Sequence, residues 1–524
     1  MSLQRLLAGA VCAGSLVAAA TPALAQQRGG PSLHIQCDGH PDNVSGGETA
    51  ARLLGAVTLL GIFAPPPEQS DLSARLHGAE GARVCTDLLS RESNDVRRAQ
   101  LRLANAIHLI EARDYESAIG QARMVATERP ALGQTRAFQL SLGLSAMELE
   151  AQALFGLGRT REAANKAMEM AAAAPYDLVN NLRALFYVQL TGEHGEAEQR
   201  FYANLIKLYP AAVLERSNAR QMAEDFAGAA DDLELWLAVT DPLLEEPNMS
   251  SLAQASLTRA LAGDMLRAEP LAERARNALR AKPDDRSAQA TGEMLDLYQV
   301  LATARGGNPA QARVLFAGRT QWLRPSAGAV SAVARELREG APEGELIGSL
   351  AGDPARFRTE RLATWRARVL DRAGGEEAEE GASEADTGSE TTTKTARRAS
   401  QLFTAIRSHW TDRQLTAFAA NTWRTERSRY FARGENDAVR ARFVNVSRDG
   451  YGVPSGYALL LHSALVARSE GRSSFMIIPA QLNIGSQFVR TGDTGADMPE
   501  ALSFNAERVI VDLSPLIPQP VRRR

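Results

Sequence analysis

The amino-acid sequence predicts a mainly α-helical protein that ends in a small α/β (α+β) C-terminal domain. Alanine, leucine, arginine and glutamate dominate the 524 residues and only 6% are aromatic, which is typical of helices packed through small side chains. From about residue 97 to 350 the pattern is helical and is interrupted by proline and glycine. After residue 398 short apolar runs typical of strands occur, so we expect the fold to change there. The net charge of −3 favours no nucleic-acid partner.

The first 25 residues have the pattern of a secretory signal peptide. Arg5 precedes an apolar run at 6–20, and Ala23 and Ala25 stand where signal peptidase requires small side chains. We therefore predict a signal peptide at 1–25 and an exported protein, periplasmic or secreted. The longest later apolar stretch, at 53–64, is about 12 residues and too short for a bilayer, so we expect no membrane span after signal removal.

Two cysteines, Cys37 and Cys85, follow the predicted cleavage point. An even number of cysteines in an oxidising compartment favours a disulfide bond, which would tie together an N-terminal region at 26–95. The chain-entropy relation gives ~4 kcal/mol for a loop of this length. A zinc site formed by His, Cys and Asp side chains at 34–40 is the alternative, but no second ligand pair with suitable spacing follows. We expect no metal and no cofactor.

Two stretches, 99–132 and 144–177, have the spacing of a helical hairpin. The matching positions are Ala106, Tyr115, Ala118 and Pro130 in the first stretch and Ala151, Gly158, Ala163 and Pro175 in the second. Alanine is needed where two helices cross closely, and proline ends the second helix because it cannot continue one. Both stretches resemble tetratricopeptide repeats, although Arg102 and Met147 replace the usual aromatic residue of the first helix.

Weaker copies of the same spacing follow at 178–211, 252–285 and 293–326. A single hairpin cannot bury its own apolar face, so stacked hairpins would form one continuous core. The resemblance implies a degenerate tetratricopeptide-like α–α superhelix, which we place at 96–370. The alternative is an α-helical domain without superhelical order.

An acidic segment separates the helical region from the C-terminal domain. Between 374 and 395 the chain has seven acidic residues, one lysine and no large apolar side chain. Such a composition cannot bury enough apolar surface to order itself. We predict a disordered linker at 371–397 and a separate domain at 398–524.

The C-terminal domain is predicted to contain both helices and strands. Apolar periodicity predicts helices at 400–432 and 456–469 and strands at 439–446, 475–478 and 508–513. This order favours a small open sheet with a helix packed against it.

The segment 457–475 is similar to a small domain of bacterial envelope lipoproteins. In that family a helix ends in a Gly–aromatic step into a strand, as Gly471 and Phe475 do here. The usual acidic residue of the helix is missing, and the context of Cys12 is a poor lipidation signal. The resemblance implies a component of the cell envelope but no particular activity.

No catalytic motif stands above background, so we expect no enzyme activity. The run at 452–456 departs from the spacing of a nucleophile elbow. Ser455 is therefore interpreted as a helix N-cap and His462 as a packed core histidine. The rival hypothesis is an enzyme with a catalytic C-terminal domain and substrate-selecting repeats, which would place an acid, base or nucleophile near Ser455 and His462.

The candidate functional surface is the concave groove that such repeats form, with one side of each first helix facing it. The predicted groove residues are Gln100, Leu103, Ile107, Glu111, Glu148, Gln152 and Phe155. Mixed polar and apolar faces suit an extended peptide or a partner helix, and the alternative places some of these residues in the core between repeats. We expect a non-enzymatic scaffold or adaptor that binds a protein partner in the cell envelope; a purely structural periplasmic homo-oligomer is the competing hypothesis.

Overall fold

The computed structural model of the protein describes most of the helical region and part of the C-terminal domain. The described residues are 31–41, 70–191, 195–244, 248–319, 322, 325–338, 402–407, 429–432, 440–445, 455–478 and 486–517. The predicted signal peptide at 1–25, the apolar stretch at 53–64 and the predicted linker at 371–397 lie outside them.

The chain divides into two compact units. The first unit comprises the chain up to Met124 together with residues 377–406, and the second comprises residues 125–376 and 407–524. The domain limits expected from the sequence, 26–95, 96–370 and 398–524, stay predictions.

The first unit is built from a few helices tied by a disulfide bond. Its α-helices are α1 (Leu33–Asp38), α2 (Gly78–Leu89), α3 (Asp95–Glu111) and the start of α4 (Tyr115–Thr127). Ser32 caps the start of α1, and Gly39 ends it with a φ of 80°, a left-handed conformation that favours glycine. The Cys37–Cys85 disulfide joins α1 to α2, so the predicted pairing is confirmed. Short 3-10 helices lie at Leu72–Ala74 and Phe403–Ala405.

The second unit begins with a long series of helices, which confirms the mainly α fold class. They are α5 (Pro130–Gly133), α6 (Arg136–Gln139), α7 (Leu142–Gly156), α8 (Thr160–Ala173), α9 (Leu178–Thr191), α10 (Glu196–Leu208), α11 (Ala212–Met222), α12 (Phe226–Thr240), α13 (Met249–Leu261), α14 (Met265–Ala281), α15 (Ala288–Arg305), α16 (Pro309–Ala317) and α17 (Ala327–Arg338). Helices that follow one another in the chain pack together, for example α7 with α8, α8 with α9, and α13 with α14. This arrangement is compatible with a helical repeat.

The turns between paired helices occur where the repeat pattern places them. Tyr115 begins α4, and Gly158 lies in the turn between α7 and α8 with a φ of 79°. One further pair, α11 and α12, lies between the predicted copies. Its sequence carries the same signal, because Ala230 precedes Pro242 by 12 residues.

Small residues allow the helices of the second unit to approach closely. Ala163 and Ala167 on α8 are fully buried, and so are Ala268 and Ala272 on α14. At Gly328 on α17, a Cβ atom would lie 2.3 Å from the carbonyl oxygen of Gln221 on α11, so only glycine fits there. Helices α12 to α17 share one apolar core.

A five-stranded antiparallel sheet follows in the second unit. The strands β1 (Arg429–Ala432), β2 (Arg440–Asn445), β3 (Ser474–Ile477), β4 (Ser486–Gly492) and β5 (Ser503–Asn505) have the spatial order β1-β2-β4-β3-β5. In register, Phe443 pairs with Phe488, and Phe475 pairs with Phe504. Helices α18 (Ser455–Ser469) and α19 (Ala506–Leu513) pack together, and α18 also contacts β3 and β4. The predicted small α/β (α+β) domain is thereby confirmed as a fold class.

Two element predictions in this domain are wrong. Residues 429–432 form β1, so the predicted helix at 400–432 does not extend to its end. Residues 508–513 belong to α19 and not to a strand. A short apolar run does not distinguish a strand from a buried helix. Here Asn505 accepts a hydrogen bond from the N–H of Arg508 and so starts a helix with Val509, Ile510 and Leu513 buried.

In the segments that the structure describes, no helix is both long enough and apolar enough to cross a membrane.

We predict that removal of the disulfide destabilises the first unit. In a Cys37→Ala, Cys85→Ala double variant, the loop of 48 residues is no longer closed in the unfolded chain, which costs about 4 kcal/mol in the chain-entropy model. Hydrogen exchange measured by mass spectrometry should become faster across α2 and α3 and stay unchanged across α13 to α15. Exchange at wild-type rates in α2 and α3 would contradict this prediction.

Candidate functional site

The predicted groove residues of the first unit lie on α3 and divide into buried and partly buried positions. Leu103 and Ile107 have no exposed side-chain surface at all. Gln100 is partly buried, and Glu111 accepts a hydrogen bond from the backbone N–H of Gly78 at 2.9 Å. Because α1 and α2 both pack against α3, the two apolar side chains belong to the core and are not presented to a partner.

The predicted groove residues of the second unit lie on α7. Phe155 is only 1% exposed and packs edge-on against Phe186 and Tyr187. Glu148 forms an ion pair with Arg183, and Gln152 is partly buried. Whether the polar members of the predicted set bind a partner stays a prediction.

The structure brings together a different set of side chains around Phe403. The guanidinium carbon of Arg75 lies 3.8 Å from the centre of the Phe403 ring. The imidazole of His108 meets the same ring in an edge-on arrangement, with the ring centres 5.5 Å apart. Leu76, Phe403 and Ile406 pack against the apolar core around the disulfide. We call the surface formed by Arg75, Leu76, His108 and this core the Phe403 pocket.

The core beneath the Phe403 pocket consists of small and aliphatic side chains from α1, α2 and α3. Its members are Cys37, Val84, Cys85, Leu88, Leu89, Leu101 and Ala104. The occupant is a short piece of the same chain, in which Leu402 and Ala405 are buried and Phe403 and Ile406 are partly buried. An aromatic residue and an aliphatic residue three positions later therefore occupy adjacent parts of one surface.

His108 holds the wall of the Phe403 pocket in place. Its side chain is completely buried, with Nε2 at 2.7 Å from the carbonyl oxygen of Cys37 and Nδ1 at 3.1 Å from Oε2 of Glu111. Both neighbours are hydrogen-bond acceptors, so each ring nitrogen has a structural partner. The ring also requires Gly81, where a Cβ atom would lie 2.5 Å from Nδ1.

Glu111 is the acidic residue that contacts His108. Burial alone would raise the pKa of Glu111, but hydrogen bonds from His108 and the backbone N–H of Gly78, together with the nearby His77 at 3.6 Å, lower it to about 2. The carboxylate therefore stays ionised throughout the ordinary pH range. Since both nitrogens of His108 are occupied by structural acceptors, the His108–Glu111 pair positions the pocket and does not present a free base.

Arg75 forms the other wall of the Phe403 pocket. Its side chain is buried, and its Nε donates to the carbonyl oxygen of Leu72 at 2.9 Å. Burial lowers the pKa of Arg75, while the nearby carboxylates of Glu111 and Asp38 oppose that change. A partly desolvated guanidinium above an aromatic face is a strong cation–π arrangement, so the pocket suits an aromatic side chain.

Two residues of the alternative metal hypothesis have other partners. Cys37 is in the disulfide, and Asp38 forms a buried ion pair with Arg97. No group of three or more His, Cys, Asp or Glu side chains that could hold a metal ion exists among the residues for which the structure gives a placement. His462 is a buried residue of α18, and nothing is described for the side chain of Ser455.

Comparison with known proteins identifies no relative. No family, no curated protein and no solved structure matches the chain. The resemblances to tetratricopeptide repeats and to envelope lipoproteins therefore rest on the residues quoted above. The fold shows many packed helices in a repeat-like array, and it does not by itself show which kind of repeat they form.

Sequence reasoning missed Arg75, His108 and Phe403. A usable signal exists, because 402–406 is an apolar segment immediately after a long polar one. An apolar segment in that position is expected to pack against another apolar surface of the protein. The sequence does not indicate which surface that is.

We predict that Glu111 accounts for part of the acid sensitivity of the first unit. Its pKa falls from 4.5 to about 2 on folding, so the unfolded chain binds more protons in this interval and the carboxylate stabilises the folded state above pH 4.5. That contribution, roughly 3 kcal/mol, is lost as the pH falls toward 2. A Glu111→Gln variant should be less stable at pH 7 and should lose less stability between pH 4.5 and 2 in urea unfolding followed by circular dichroism.

The matched control for this prediction is Asp87→Asn, since Asp87 is an exposed acid on α2. It should reproduce the wild-type pH dependence. Parallel pH profiles for Glu111→Gln and the wild type would contradict the assigned role of Glu111.

Proposed function

We propose that this protein is an exported, non-enzymatic interaction scaffold of the cell envelope that binds a protein partner through a short peptide segment. The observation that carries the proposal is the Phe403 pocket, which holds a peptide segment of this same chain by an aromatic and an aliphatic anchor. A partner segment with an aromatic residue and an aliphatic residue three positions later would use the same contacts. The segment 402–406 then acts as an internal competitor.

The chemistry of the Phe403 pocket supports peptide recognition. Arg75 supplies a cation–π contact, His108 supplies an aromatic edge, and the aliphatic core beside them accepts a second anchor. Two apolar anchors spaced along one short segment are the usual way in which a groove recognises a peptide. Partner binding through the predicted groove residues Gln100 and Gln152 belongs to the same proposal and has no separate observation in its favour.

The proposed location rests on two features of the chain. A signal-like pattern begins the sequence, and a disulfide bond lies in the core of the first unit. Disulfides form and persist mainly in oxidising compartments such as the bacterial periplasm. The second unit would then contain a tetratricopeptide-like repeat array, as the sequence resemblance implies.

We predict that the Phe403 pocket binds a peptide added in trans once its internal occupant is weakened. The probe is a fluorescent peptide with the sequence of residues 400–408, titrated by anisotropy into the full chain carrying Phe403→Ala and Ile406→Ala. This double variant should bind the peptide at least tenfold more tightly than the wild type does, because the internal segment competes at a high effective concentration. Adding Arg75→Leu should weaken binding about tenfold through loss of the cation–π contact.

Two controls make this experiment decisive. A peptide with alanine in place of its phenylalanine should not bind, and a Leu266→Ala chain, changed at an exposed side chain of the second unit, should behave as the wild type. A double variant that keeps its helical circular dichroism but binds neither peptide would refute the proposal.

A further inference from the structure

A cleft of about 430 Å³ lies between α12 and α14 in the second unit. The apolar side chains that line it are all aliphatic, and they are Leu237, Ala238, Leu266, Pro270 and Leu271. Leu266 is 87% exposed, so a large apolar side chain stands at the cleft without cover. A cleft of this volume is in the range that small ligands occupy in proteins.

Two ion pairs connect the opposite sides of this cleft. Glu234 on α12 binds Arg267 on α14, and Oδ2 of Asp241 accepts a hydrogen bond from Nη2 of Arg274 at 2.6 Å. The two acids are seven residues apart and so are the two arginines, which corresponds to about 10 Å along a helix. Most of the aliphatic residues lie between them in the sequence, so the cleft has polar ends and an apolar middle.

The two acids differ in how well their oxygen atoms are satisfied. Oε1 of Glu234 accepts from Nε of Arg259 at 2.7 Å and Oε2 accepts from Arg267, so both oxygens have a donor. Oδ1 of Asp241, in contrast, is buried and finds no donor among the residues that the structure describes. Since buried polar atoms in proteins nearly always have a partner, a donor is missing at the Asp241 end of the cleft.

The position of Asp241 favours a positively charged donor. Asp241 directly follows Thr240, the last residue of α12. The last carbonyl groups of a helix have no donor within the helix, and the helix dipole gives this end a partial negative charge that attracts cations. A primary ammonium group carries three N–H donors and a positive charge, so it suits this end better than a neutral hydroxyl group.

We propose that the cleft binds a free aliphatic amine, with its ammonium group on Oδ1 of Asp241 and its apolar body against Leu237, Leu266 and Leu271. The ammonium takes the oxygen that Arg274 leaves unoccupied, so no ion pair of the cleft has to break. The apolar body covers Leu266, which a water molecule on Asp241 would not do. Because the volume is that of a small-ligand site, we assign the amine as a free molecule and not as a lysine side chain of a protein.

The test compares three probes of the same shape and different charge. Cyclohexylmethylamine, cyclohexylmethanol and cyclohexanecarboxylate are titrated into the full chain at pH 7 and constant ionic strength, and binding is measured by isothermal titration calorimetry. We expect saturable binding of the amine at least tenfold tighter than that of the alcohol, as for a hydrogen bond between charged groups. Absence of amine binding, or binding of the alcohol or the carboxylate that is as tight, would overturn the proposal.

A fourth probe distinguishes a free amine from a protein side chain. Nα-acetyl-lysine methylamide carries the same ammonium group on a short peptide backbone. It should bind more weakly than cyclohexylmethylamine, because its backbone has to fit beside the cleft. Tighter binding of this probe would contradict the assignment of a free ligand.

Asp241→Asn keeps the shape of the side chain and removes its charge. In this variant the affinity for the amine should fall at least tenfold, while the affinity for the alcohol changes little. The matched control is Glu336→Gln, which removes the acid from another ion pair between helices of the second unit, with Arg305. It should bind the amine as the wild type does. Wild-type affinity in Asp241→Asn would show that the amine does not bind where we place it.

If Asp241→Asn does not fold, Ala238→Phe gives an independent test. Ala238 is an exposed residue of α12 that lines the cleft, so a larger side chain fills the cleft without entering the core. This variant should keep the melting temperature of the wild type and lose amine binding. Unchanged amine affinity in a folded Ala238→Phe chain would count against the proposal.

Discussion

The candidate site depends on the contacts that the buried imidazole of His108 makes. It connects α3 to the carbonyl oxygen of Cys37, and thus to the disulfide, while its second nitrogen faces Glu111. The close approach of α2 is possible only because Gly81 has no side chain. Since the same ring also meets Phe403 in an edge-on arrangement, the interactions that stabilise the first unit also shape the pocket. The stability of the first unit and the proposed peptide recognition therefore depend on the same interactions.

The helices of the second unit are held together by different interactions. Buried alanines allow close helix packing, and ion pairs join neighbouring helices. Arg216 and Arg220 on α11 both bind the buried Asp232 on α12, at 2.5 and 2.9 Å. Burial raises the pKa of Asp232 even so, which shows that desolvation outweighs the two cations. Such a buried pair is therefore weak evidence for a large contribution to stability.

Sequence patterns predicted the features that depend on local chemistry. The cysteine count predicted the disulfide bond, and Gly158 predicted the turn at which a helix ends. The pair α11 and α12 was overlooked although its alanine–proline spacing was present. The groove assignment of Leu103 and Phe155 needed knowledge of which helix faces are covered, and only the tertiary packing supplies that. The contacts of Phe403 with Arg75 and His108 join positions far apart in the chain, so no local sequence pattern predicts them.

The most direct test of the peptide-site account follows the Phe403 ring itself. A single 4-fluorophenylalanine at position 403 of the full chain reports its surroundings by fluorine NMR. We expect one resonance shifted away from that of a solvent-exposed ring, because Arg75 and His108 enclose it. Titration with unlabelled peptide of the 400–408 sequence should move the signal to the exposed position, in proportion to binding. A resonance that is exposed from the start, or that stays shifted while peptide binds, would contradict the account.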